Sequence, residues 1–179
     1  MVRFGVILTV VLLTSCGTKI DIPVTTEGAK LDISGQKVAL MWLAPDCPLC
    51  QLYSTSFCEL AASSTKDISF YGVLPGNHYG EEEIRHFKDS FAFNLDIIAD
   101  KDYGLSKKLS ATITPEFFLL DSGYQVLYSG KFDDWATDLS QKKLKPSAHY
   151  FKDAIQAFSN GTKIEIDHVD PVGCTIEYD

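Results

Sequence analysis

Basic residues are in deficit here: 16 Lys and Arg stand against 24 Asp and Glu, a net charge of −8. Nucleic-acid binding calls for basic patches, so that class of partner is excluded. Long apolar runs are also missing. The most extended one, Phe4 to Leu13, is about half of the roughly 20 residues that a spanning helix needs. Internal repeats and low-complexity tracts are absent, which leaves no basis for a repeat architecture. What is present is an ordinary apolar content of 45%, enough for a real core and against global disorder.

The first sixteen residues read as an export signal. Arg3 supplies a positive charge, and the Phe4–Leu13 run has the length of a signal-peptide h-region. Leu13-Thr14-Ser15-Cys16 follows at once and resembles the lipobox of bacterial lipoproteins, in which the cysteine is acylated and becomes the mature N-terminus. An ordinary secretory signal with a chance cysteine is the alternative. Acyl chains contribute about 0.8 kcal/mol per buried CH₂, so two or three of them anchor a protein without a transmembrane helix. The expected place is therefore the cell envelope, on an extracytoplasmic membrane face, where paired thiols persist as disulfides. Residues 1–15 are then the signal peptide, and 16–30, polar and without periodicity, a tether.

From Lys37 onward regular elements are legible. Val38 to Leu43 is a short apolar run ended by Ala44-Pro45, as for a buried central strand. A helix starts just beyond, with Leu49, Leu52, Tyr53, Phe57 and Leu60 assigned to one face and Pro48 in the first turn, where its missing N–H is harmless. Ile68 to Leu74 predicts a second strand, stopped at Pro75-Gly76. Glu81 to Phe91 predicts a second helix, its three leading glutamates suiting the dipole. A short strand over Leu95–Ala99 and a short helix holding Leu105 and Leu109 come next. Phe117–Leu120 and Val126–Tyr128 read as a hairpin turned by Asp121-Ser122-Gly123. A last helix carries Phe151, Ala154, Ile155 and Phe158 and stops at Asn160-Gly161. Alternating strands and helices closed by a hairpin and a helix give a three-layer α/β domain over 31–160, with a tail over 161–179.

Cys47-Pro48-Leu49-Cys50 falls where the central strand gives way to a helix N-terminus. Unpaired N–H groups and the helix dipole favour negative charge there, so a thiolate at Cys47 is stabilised. Cys50, one turn further in, suits a resolving thiol. The chemistry of such a pair is thiol–disulfide exchange through a mixed disulfide. A structural disulfide without turnover is the bland alternative. Zinc needs a second ligand pair of matching spacing, and none is present. Copper(I) is the remaining metal alternative, since soft thiolates suit it, and the chain would then be a non-catalytic carrier, a non-catalytic binding module being the other such reading; His149 is the one histidine to nominate beside them, and its other reading is a surface or capping residue.

These motifs resemble the thioredoxin superfamily. Met41-Trp42-Leu43-Ala44-Pro45-Asp46-Cys47-Pro48-Leu49-Cys50 is similar to that family's strand end and active-site loop, and Thr114-Pro115, just before the hairpin, to its cis-proline loop. The resemblance implies a thioredoxin-like three-layer sandwich: a central mixed sheet flanked by helices, with an inserted helix and strand between about Glu81 and Ala99. It implies an envelope thiol–disulfide oxidoreductase or redoxin-domain lipoprotein that needs no cofactor and whose partners are protein or small-molecule thiols and disulfides. Cys47, Cys50 and Pro115 are then the catalytic set. Thr114, Pro115 and Trp42 would line a partner's seat, although Trp42 and Trp135 also suit packing. Asp46 departs from the pattern, and its carboxylate should raise the thiol pKa. The central strand lacks the buried acid many members use. The peroxidatic pattern Pro-x3-Thr/Ser-x2-Cys is missing too, because Leu43 and Gln51 stand seven residues before Cys50 and Cys58.

Two cysteines remain. Cys58 lies about 12 and 16 Å along the helix from Cys50 and Cys47 at 1.5 Å per residue, beyond the roughly 7 Å that a disulfide tolerates. It is a small core residue or it pairs at a distance. Ile164–Asp167 alternates like a strand, and Gly173-Cys174-Thr175-Ile176 follows a turn. That ending resembles the Gly-Cys-x-Ile close of some envelope redoxin-domain proteins. The tail is expected to fold back and bring Cys174 to the Cys47/Cys50 face as a third redox thiol; a Cys58–Cys174 staple and a free thiol are the alternatives. Asp133-Asp134 reads as a solvated face.

Overall fold

The structure, a computed structural model, describes residues 35–178. The signal run, Cys16 and the tether lie outside the described residues.

The central strand β1, Lys37–Trp42, is apolar on both sides because both of its faces are covered. Val38, Leu40 and Trp42 point into one core cluster, and Ala39, Met41 and Leu43 into the other. Helix α1, Pro48–Ser63, then carries the chain to β2, Ile68–Pro75, which pairs parallel to β1. Helix α2, Glu81–Ser90, leads to β3, Ile97–Asp100, parallel to β2. After α3, Gly104–Leu109, and the two-residue β4, Ile113–Thr114, the hairpin β5, Glu116–Leu120, and β6, Val126–Gly130, runs antiparallel. Strand β5 inserts next to β1, also antiparallel. Helix α4, Tyr150–Ser159, precedes two short tail strands: β7, His168–Val169, and β8, Cys174–Thr175. The six-stranded mixed sheet has the order β3-β2-β1-β5-β6-β7, and β4 and β8 form a separate pair.

The larger core lies under α1, α2 and α4, where Phe57 packs on Phe70, Phe93, Phe117 and Phe151. On the other face Trp42, Val73, Ile98 and Phe118 meet Leu105 of α3. A mixed sheet with helices on both faces is the expected three-layer arrangement.

Three expectations need correction. Leu52 is 42% exposed rather than on the buried face of α1. At about 100° per residue, the buried positions Leu49, Cys50, Tyr53, Ser54, Phe57, Cys58 and Leu60 centre on a line that Leu52 opposes. The alternation of Ile164–Asp167 forms no strand; pairing begins only at His168, where β7 lies parallel to β6. Gly130 at the seam has φ +121°, and a side chain there would run into the Val169 carbonyl. Asp133 is buried, not a solvated face, and accepts the Tyr53 hydroxyl at 2.7 Å and the Trp135 N–H at 2.9 Å. Its neighbour Asp134 binds the Ser147 and Ala148 N–H groups at 2.7 and 3.0 Å and pairs with Lys143. Both acids fix the loop ahead of α4, a role that consecutive charges conceal in a sequence.

Candidate active site

Cys47 is the N-cap of α1, with extended backbone, and Pro48 occupies the first helical position. The Leu49 and Cys50 N–H groups at this helix start face the Cys47 sulfur. The thiol of Cys50 also donates to it. Together with a donated hydrogen bond from Cys174 these lower the Cys47 pKa to about 5, against a burial effect that works the other way. Cys50, fully buried, is pushed well above the ordinary thiol range, first by burial and then by its neighbour Cys47; its sulfur accepts the Ala44 N–H at 3.4 Å. One thiolate beside one protonated thiol is the state a nucleophile and its resolving partner require.

The expected obstruction by Asp46 is not realised. Its carboxylate is engaged by the Tyr79 hydroxyl at 2.5 Å, and the Cys47 pKa falls regardless. Asp46, Tyr79 and Pro45 edge an open groove of about 640 Å³ between the start of α1 and the exposed side of α2, with Glu82, Glu83 and His86 on its far wall.

Thr114-Pro115 is cis and lies directly against the pair: the Cys47 sulfur is 3.1 Å from the Thr114 carbonyl oxygen. Protonated, Cys47 donates to that oxygen; ionised, it is held by the thiols and helix N–H groups opposite. Trp42, by contrast, is fully buried on the far face of the sheet, its indole N–H donating to Ser106 Oγ at 2.8 Å. Its side chain is closed to any partner, so of the two readings made for it packing holds. Ser106 in turn donates to Asp100, whose carboxylate also takes the N–H groups of Leu105 and Ser106 and so fastens α3.

A residue the sequence reading passed over is Glu116. It follows the cis-proline, is 3% exposed, and accepts the Thr112 and Ile113 N–H groups at 2.9 and 3.4 Å. Burial raises its pKa, and the two N–H groups hold back part of that rise. A buried acid is therefore present, not in the central strand but bracing the proline loop from behind. The signal was a lone charge inside Pro115-Glu116-Phe117-Phe118.

The tail completes the site. Strand β8 pairs antiparallel with β4, setting Cys174 opposite Thr114 and Thr175 opposite Ile113. Gly173 allows this approach: a β-carbon there would meet the Thr114 carbonyl oxygen at 2.0 Å. Cys174 Sγ consequently sits 2.8 Å from Cys47 Sγ. Val172 and Cys174 rest on the larger core, while Ile176, 8% exposed, enters the smaller one. Tyr178 ends the crossing against Tyr103, its hydroxyl bonded to the Ala111 carbonyl, with Lys107 over both rings. Burial and its bond to Cys47 push the Cys174 thiol up to about 12. The expected meeting of Cys174 with the pair is found. The Cys58–Cys174 staple is not formed, for Cys58 faces the backbone of Asn94 and Leu95.

Cys47, although at the mouth of its helix, is only 1% exposed, and Cys174 is the half-buried sulfur in front of it. His149, nominated for copper, stands at the N-cap of α4. Among the described residues no group of three or more His, Cys, Asp or Glu is placed to hold a metal ion, and no helix is long and apolar enough to cross a membrane.

No family model and no curated protein matches the chain. Solved structures do. An uncharacterized conserved protein from Geobacillus kaustophilus aligns at TM-score 0.72 with 16% identity, covering 88% of each chain. The pneumococcal exposed lipoprotein thioredoxin from Streptococcus pneumoniae aligns at 0.55 with 18% identity, over 78% of this chain and 97% of its own. A secreted disulfide oxidoreductase of Mycobacterium tuberculosis aligns at 0.54 with 17% identity, over 76% and 94%. At these identities the likeness shows the fold, and the fold is thioredoxin-like.

Proposed function

We propose that this thioredoxin-like chain is a thiol–disulfide oxidoreductase of the cell envelope, held to a membrane by lipid on Cys16. Cys47 is the nucleophile, Cys50 the resolving thiol and Cys174 a third redox thiol, with Thr114 and Pro115, both buried, positioning Cys47 and Cys174. The observation that carries the reading is the Cys47 sulfur at a helix N-terminus, 3.1 Å from the carbonyl oxygen just ahead of a cis-proline. The donors gathered at that helix start lower the thiol pKa, the Cys50 thiol first, then the Cys174 thiol and the Cys50 and Leu49 N–H groups. Placement outside the cytoplasm rests on the signal run and Leu13–Cys16 motif, and two of the similar solved structures are described as secreted and as an exposed lipoprotein.

The exchange balances without a cofactor. Cys47 and Cys50 together give up two electrons and two protons as their disulfide forms, and a partner disulfide accepts them as it becomes two thiols. Reversal oxidises a partner dithiol. Replacing Cys47 with serine should reduce insulin-disulfide reduction and dithiol-peptide oxidation to the uncatalysed rate. An undiminished rate in Cys47→Ser would remove the assignment. Radiolabelled palmitate incorporation that is lost in Cys16→Ser is the matching test of the anchor.

A further inference from the structure

The three sulfurs at the site are ordered by depth: Cys174 is half-buried, Cys47 is 1% exposed and Cys50 is fully buried. The outer two are 2.8 Å apart, while a covalent S–S bond is about 2.05 Å. Strand pairing fixes Cys174 opposite Thr114, the residue whose carbonyl oxygen lies 3.1 Å from the Cys47 sulfur. A disulfide between Cys47 and Cys174 therefore calls for a side-chain adjustment and no refolding of the tail. The tail itself is not a loose cover. Gly173 fits it against Thr114, Ile176 is buried in a core, and the Ile176 N–H donates to Thr112 at 2.9 Å.

Resting on the exchange activity proposed above, we infer that Cys174 is the thiol through which external partners reach the pair, so that the three cysteines form an outer-to-inner relay. An incoming partner disulfide meets Cys174 first, because Cys47 lies behind it. Cys174 attacks the partner disulfide, and its proton passes through water to the partner sulfur that leaves; a Cys174–partner bond forms and the first partner thiol is released. Cys47, already ionised, attacks the Cys174 sulfur. The Cys47–Cys174 bond forms and the second partner thiolate leaves. Cys50 then attacks Cys47, the Cys47–Cys50 bond forms, and Cys174 departs with the proton that Cys50 gives up. In sum Cys47 and Cys50 are oxidised, one partner disulfide is reduced to a thiol and a thiolate, and Cys174 ends as it began. Run backwards, the relay delivers oxidising equivalents from the buried pair to a partner dithiol at the surface.

The test uses the full reduced chain with oxidised glutathione as probe, acid quenching and mass mapping of unreduced peptides. The Cys50→Ser chain should accumulate an internal Cys47–Cys174 disulfide and release both glutathiones. Cys174→Ser, a near-isosteric change, should slow formation of the Cys47–Cys50 disulfide by at least about tenfold, since attack depends on access to the sulfur. Cys50→Ser combined with Gly173→Val keeps both outer sulfurs but pushes the tail off Thr114, and should lose the internal disulfide. The relay is overturned if Cys174→Ser oxidises its pair as fast as the parent chain or faster. It is equally overturned if Cys50→Ser retains glutathione on Cys47 with Cys174 free. Either result leaves the Cys47–Cys50 exchange standing, whereas a parent chain that forms no Cys47–Cys50 disulfide removes the proposed function itself.

Discussion

Cys47 and Cys58 sit on one helix, both buried against the same core, and their thiols are driven in opposite directions. Cys58, three turns along, has the ordinary fate of a buried thiol: desolvation raises its pKa, and the nearby backbone of Asn94 and Leu95 offsets only part of that. Cys47 bears a desolvation cost too, yet its pKa falls to about 5 because donors converge on the sulfur. Burial by itself thus makes an inert cysteine. What makes a reactive one is burial among unspent N–H and S–H groups, and the start of a helix is where a chain has them.

The contrast can be broken most forcefully by titration. Thiolate absorbance of the reduced chain should show one thiol ionising near pH 5, lost in Cys47→Ser and retained in Cys58→Ala. Retention of that transition in Cys47→Ser would mean that the helix start does not confer it. The sign of the linked stability is fixed as well. A depressed thiol pKa stabilises the reduced fold fully above the ordinary thiol value of about 8.5. That contribution declines as pH falls through the interval and is gone below about 5. Chemical denaturation of reduced Cys47→Ser should lack this slope.

A smaller effect separates the donors. Cys50→Ala removes the largest lowering influence on Cys47, and Cys174→Ala a lesser one, so the midpoint should rise further in the first variant than in the second. Equal rises would reassign the effect to the dipole and backbone. Smaller again is the change at Cys58. Trimming it to alanine should cost about 1 kcal/mol of stability in urea unfolding, with the exchange rate unmoved. A lost exchange rate there would show that the deep thiol takes part after all.

The smallest change concerns Glu116. Its raised carboxyl pKa means that the folded state holds its proton more tightly than the unfolded chain, so stability from this group falls as pH climbs past the usual carboxylate range. Glu116→Gln keeps an oxygen for the Thr112 and Ile113 N–H groups and removes the buried charge. Thermal unfolding at neutral pH should move upward or stay within about 1 kcal/mol of the parent. A larger loss would point to a role for the charge itself.

Much of this molecule was legible before its coordinates. The apolar run of β1, the stops at Pro75-Gly76 and Asn160-Gly161, and the Thr-Pro dipeptide before a hairpin are local features, set by backbone chemistry within a few residues. So was the placement of Cys47 and Cys50, because a strand end followed by Cys-Pro defines a helix start. Misread features were those decided by contacts distant in sequence. The short β7 forms where β6 offers Gly130, not where Ile164–Asp167 alternates. The exposure of Cys47 depends on a tail 127 residues away. Asp133 looked like a surface charge, and Glu116 passed unremarked, until the groups they bind were folded against them.

Gly173 has a consequence for anyone moving this centre to another scaffold. The dipeptide Gly173-Cys174 has to travel as one unit, for the atom that aims the sulfur is the one its neighbour does not possess. Even a methyl group at that position would lie 2.0 Å from an oxygen on the facing strand. Grafting the cysteine alone would carry across a thiol with nowhere to sit.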